Sequence, residues 1–163
     1  MGAERPPLEK YMTKASIYED LKTEAAKIAD KRETIKALIE KIENNFLPIS
    51  FESEVWLDKK FYENNQGGLQ SQFFLGYMPS GNPGTIVAKT IVRDSIKQDI
   101  RESKIVKLST IENSLILGTA AKWLFELITE VRNHIQRHKD ALLTVNMEPL
   151  EQLASSDFGT DLP

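Results

Sequence analysis

The 163-residue chain contains no cysteine. Disulfides, thiolate nucleophiles and Cys-ligated zinc or iron–sulfur centres are thereby excluded, so stability must come from a packed core, which a chain of this length can bury. Histidine is nearly as scarce, with only His134 and His138. No apolar run approaches the roughly 18 residues of a membrane span, and Met1 to Lys14 lacks the apolar stretch of a secretion signal. These absences predict a soluble, cytoplasmic chain with no membrane contact. A surplus of one charge is also missing. The 21 Lys and Arg against 24 Asp and Glu leave −3 at pH 7, which exerts no global pull on nucleic acid or anionic lipid.

What is present is hydrophobic periodicity. Tyr18, Leu21, Ala25, Ile28, Ile35, Ile39, Ile42 and Phe46 return at steps of three and four, with Arg32 standing where another apolar residue is due. Ser16 and Glu19 have capping-box spacing, and no Gly or Pro interrupts 16–46, so one long helix is predicted there. A second stripe runs through Leu117, Ala121, Leu124, Ile128, Val131, Ile135, His138 and Leu142, widened in its first half by Ile116, Ala120, Trp123 and Leu127. Its start lies anywhere from Ser109, which with Glu112 has capping-box spacing, to Gly118.

Between the helices the period drops to two, the signature of strands. Ile49, Phe51, Val55 and Leu57 alternate with polar residues, Trp56 being the exception on the polar side. Asn64 to Gly68 reads as a turn, and Leu69, Phe73, Leu75 and Tyr77 form the buried side of the next strand, with Phe74 opposite. The MPSGNPG segment at 78–84 is the strongest turn signal, TIVAKTIVR at 85–93 the next strand and KIVKL at 104–108 a short fourth. The connections are too short for parallel crossovers. The fold predicted is α+β: two long antiparallel helices packed on a three- or four-stranded antiparallel meander, in the order α-β-β-β-(β)-α. One domain spans 16–143, preceded by a flexible arm at 1–15. It is followed at 144–163 by a mobile tail with four acidic residues and no Lys or Arg.

Catalytic patterns are wanting. No G-x-S-x-G, G-x-x-x-x-G-K-[ST] or G-x-G-x-x-G element occurs, and Glu52 with Glu54 reads as a solvated strand face, so no enzyme and no cofactor is expected. Glu130, His134 and His138 succeed one another four residues apart on the last helix, a spacing that could share a divalent metal. His138, however, falls on the apolar seam, where packing would orient it. The basic runs Arg132, Arg137, Lys139 and Lys97, Arg101, Lys104, Lys107 are each diluted by nearby carboxylates, which argues against nucleic acid.

The remaining function is association with another protein. Trp56, Phe74 and Met78 fall on the expected wet face of the sheet, and the Val131, Ile135, Leu142 end of the second stripe extends past it. The sequence thus predicts a non-catalytic protein-interaction module, such as an adaptor, an inhibitor or an immunity-type partner, with a homodimer as one way to hide the helical seams. The alternative is a small metal-dependent or nucleic-acid-associated protein using the His134/His138 face.

Overall fold

The structure, a computed structural model, describes residues 13–47, 51–79 and 84–156. Residues 1–12 of the predicted arm, Ile49 at the start of the first predicted strand, the centre of the 78–84 turn, the end of the tail and the side chain of Phe46 lie outside the described residues, whereas Lys14 and Ala15, predicted in the arm, belong to the first helix.

Helix α1 runs from Lys14 to Phe46. Its cap is Thr13, whose hydroxyl accepts the Ser16 amide at 3.0 Å, so the expected Ser16 cap lies inside the first turn. Ile39 is fully buried, Ile35 and Ile42 pack against the core, and Tyr18, Leu21 and Ile28 are exposed. Half of α1 therefore stands clear of the body.

Five strands follow: β1 (Val55–Trp56), β2 (Tyr62–Gln66), β3 (Leu69–Met78), β4 (Thr85–Asp94) and β5 (Ile100–Lys107). All pairings are antiparallel in the order β1-β3-β4-β5, and β2 also pairs with β3. The sheet thus has more strands than the three or four predicted. Asn64, Asn65 and Gln66 belong to β2 rather than to a turn, because Gly67 and Gly68 alone reverse the chain with φ of +59° and +76°. Strand β5 starts at Ile100, earlier than the predicted Lys104.

A 3₁₀ turn (Leu108–Thr110) leads to α2 (Ser114–Ala121), α3 (Leu124–Leu143) and α4 (Met147–Ser155). Asn113 caps α2 by accepting the Leu115 and Ile116 amides at 3.0 and 3.1 Å. The expected single second helix is broken at Trp123. Its amide bonds back three residues to Ala120, and its backbone (φ −101°, ψ 1°) leaves the helical region. Within the acidic tail, α4 has no buried residue.

The second helical stretch also takes a course different from the antiparallel one predicted. Arg32 and Lys36 meet Glu112, Ile35 shares a groove with Leu117, and Ile42 lies with Leu124 and Ile128, so α1 and the later chain advance in the same direction where they meet. The cause is the 3₁₀ turn, which packs on α1 with Leu108 fully buried. It carries the chain back along α1 before Asn113 starts α2. Helix α3 also packs on β1 and β3.

Arg32, the apparent fault in the first stripe, is the clasp of this arrangement. Its guanidinium donates to the Glu112 carbonyl at 3.2 Å and its Nε lies 3.5 Å from the Glu112 carboxylate. The hydrogen bond and charge of Lys36 hold the Glu112 carboxyl below the usual carboxylate range. The core itself joins Ile39, Val55, Leu75, Tyr77, Ile86, Leu108, Leu117, Leu127 and Val131.

Candidate interaction surface

Strand alternation sends Val55, Leu75, Tyr77, Ile86 and Ala88 inward to the helices and the residues between them to the other face. On that outer face Trp56 stands opposite Gly76, Gly76 opposite Val87, and Phe74 opposite Lys89. A side chain at position 76 would run into the Trp56 indole, so the glycine is what lets the ring lie flat across β3. The Trp56 Nε1 donates to Glu54 at 3.1 Å, and the Lys89 ammonium sits 4.5 Å above the ring, a cation–π contact. Trp56, Asp58, Phe74, Lys89 and Ile91 line a shallow cleft of about 210 Å³.

Of the residues read from the sequence, Trp56, Phe74 and Met78 are all half-buried on this face. Trp56 and Phe74 share the cleft, whereas Met78 lies farther along β3, paired with Thr85. Sequence reasoning missed Lys89 and Ile91. Their signal is the alternation within β4, where Val87, Lys89 and Ile91 must face away from Ile86 and Ala88.

The helical candidates separate. Val131 is 2% exposed and is used by the chain's own core, while Ile135 and Leu142 are 44% and 73% exposed. The open seam therefore begins one turn later than expected and continues through Leu143, Val145 and Met147.

The three metal candidates are not brought together. Glu130 is engaged by His134 at 3.4 Å and by Arg137 at 3.3 Å. His138 turns the other way, with Nδ1 3.6 Å from Glu52 and its ring edge-on to Phe51 at 5.0 Å. Among the described residues no group of three or more His, Asp or Glu is placed to hold a metal ion. Zinc at tenfold molar excess is accordingly expected to leave the melting temperature within about 1 °C of the apo value. A bound ion in hundredfold excess over its dissociation constant would add about 2.7 kcal/mol, or several degrees. A chelator-reversible rise lost in His134→Ala would overturn this.

A second polar feature lies at the end of α1. Glu43 is 6% exposed, and its Oε2 accepts the Ile86 amide at 2.7 Å, tying the helix to β4. Burial pushes its carboxyl up, opposed by that hydrogen bond and by Lys107 and reinforced by Glu40. Glu40, Glu43, Asn44 and Lys107 border a polar recess of about 290 Å³. The Leu47 carbonyl accepts the Gly84 amide at 3.1 Å beside it, so this corner joins helix to sheet.

No helix among the described residues is long and apolar enough to cross a membrane. No protein-family model, no curated protein and no solved structure matches the chain.

Proposed function

We propose that this chain is a non-catalytic protein-binding module, an adaptor, inhibitor or immunity-type partner, whose outer sheet face docks another protein. The observation that carries the reading is the Trp56–Phe74–Ile91 cleft with Lys89 across the indole, on the side of the sheet turned away from the core. Aromatic side chains held rigidly in a half-open cleft are the groups that dominate binding energy at protein interfaces, where they combine large apolar area with little rotamer entropy. The bridging lysine keeps the indole in one pose before any partner arrives, which lowers the ordering cost of association.

A photo-crosslinking phenylalanine analogue placed at position 74 in cells of the native host tests this directly, with the same analogue at exposed Gln136 as control. One protein is expected to be trapped from position 74 and not from 136. That protein, purified, is expected to bind the chain and to lose at least tenfold in affinity with Phe74→Asp, as hot-spot truncations costing about 2 kcal/mol or more do. Absence of a position-specific adduct, or binding indifferent to Phe74→Asp in a variant that melts normally, would refute the reading.

A further inference from the structure

A different surface, independent of the outer sheet face, points to self-association. Helices α1 and α2 leave between them an open groove of about 510 Å³ whose apolar lining is Ile28, Ile35 and Leu117. Lys27 and Lys31, one turn apart, line it together with Glu24. Lys27 pairs with Glu24, 3.1 Å away, with both side chains exposed, and such pairs exchange readily. Arg32, which also lines the groove, is already committed to Glu112.

Helix α4 has the complementary form. Met147, Leu150 and Leu153 recur every three residues and are 55%, 48% and 55% exposed, so one apolar side is uncovered. At 100° per residue, Glu151 falls on one flank of that side next to Met147, Glu148 lies on the far side, and α4 contains no Lys or Arg. Pro149 is in the first turn, where its missing amide costs nothing. An apolar stripe with an acidic flank matches an apolar lining with a basic margin.

The chain's own α4 cannot supply this match. From Ile128, which lies beside Ile42, α3 runs on to Leu143, about 22 Å farther in the direction away from the groove. The nine residues of α4 reach back only about 13 Å. The groove lies farther still, on the N-terminal side of Ile42.

We infer that α4 of one copy docks in the α1–α2 groove of a second copy, apolar face down, with Glu151 on its flank against Lys27 and Lys31. The exchange is reciprocal, so it closes as a twofold dimer and fills both grooves. It also brings the second copy alongside the clear half of α1, where Ile17, Tyr18 and Leu21 are exposed.

Charge reversal tests the pairing in the full-length chain by sedimentation velocity from about 5 to 200 µM, a range spanning ordinary dimer affinities. The wild-type chain is expected to dimerise. Lys27→Glu/Lys31→Glu and Glu151→Lys are each expected to raise the dissociation constant at least tenfold, since like charges then face each other across both grooves. An equimolar mixture of the two variants is expected to regain dimerisation, because every groove then meets an α4 flank of opposite charge. All three positions are exposed, so the circular dichroism spectrum should be unchanged, and melting should differ only by the stabilisation that the wild-type dimer supplies. A wild-type monomer throughout the range, a dimer indifferent to both reversals, or failure of the mixture to reassociate would each overturn the inference. None of these outcomes bears on the outer-face cleft.

Discussion

Glu43→Ala is expected to lower unfolding stability by about 1–3 kcal/mol, the cost of leaving the buried Ile86 amide without an acceptor. Glu43→Gln keeps an oxygen for that amide and is expected to match or exceed the wild type at neutral pH. The reason is the direction in which the carboxyl is shifted. Burial raises its pKa in the folded state, outweighing the Ile86 hydrogen bond and Lys107, while Glu40 adds to the rise. The folded chain therefore holds the proton more tightly than the unfolded chain. Protonation of Glu43 adds stability as pH falls through the raised folded value, and that contribution is lost as pH rises through it. Asp94 and Glu112 act in the opposite sense. Their carboxyls are held low, by the Lys97 and Ile96 amides and by Lys36 respectively, so their contribution fades on acidification. Urea denaturation of the wild type and Glu43→Gln across pH 4 to 8 isolates the Glu43 part as a difference. That difference should favour the amide increasingly as pH rises. A Gln variant as damaged as the Ala variant would show that charge, not hydrogen bonding, holds this corner.

Leu127→Ala and Leu142→Ala are expected to diverge sharply although both lie on one stripe of one helix. Leu127 is fully buried, and its truncation removes packed atoms and leaves a cavity, a loss of about 2–5 kcal/mol. Leu142 is exposed, and its truncation should stay within about 0.5 kcal/mol in the isolated chain. At this chain length the first corresponds to a fall of several degrees in melting temperature and the second to about 1–2 °C. Chemical denaturation of both variants checks the pair, and equal effects would mean that α3 is covered along its whole length.

The contrast shows what the sequence conveyed and what it did not. Periodicity located α1, the inward Val55, Leu75 and Tyr77, and the outward Trp56 and Phe74, because each rests on spacing alone. The break at Trp123 is invisible to spacing, since Leu117, Ala120, Leu124, Leu127 and Val131 keep steps of three and four straight across it. Strand β2 is hidden for the opposite reason. Its YENNQ sequence lies at the sheet edge with three exposed residues and has little apolar alternation to read. Glu43 stands four residues after Ile39 and so shares its buried face. A carboxylate there is explained only by an amide 43 positions away. The outer-face cleft was half legible: its β1 and β3 members stood out as misplaced aromatics, while Lys89 became part of it only through the β3–β4 register.

The clasp of Arg32 on Glu112 joins residues 80 positions apart, which has a consequence for how the protein is made. At synthesis rates of about 5–20 residues per second, the middle of α1 waits roughly 4–16 s before its partner exists. Through that interval Ile35 and Ile39 have nothing from α2 or the 3₁₀ turn to cover them. The five strands are complete before the first helix can be anchored on both sides. The nascent chain is thus a sheet bearing an uncovered amphipathic helix, the kind of surface that chaperones hold, and folding closes late, when Glu112 and Leu117 arrive.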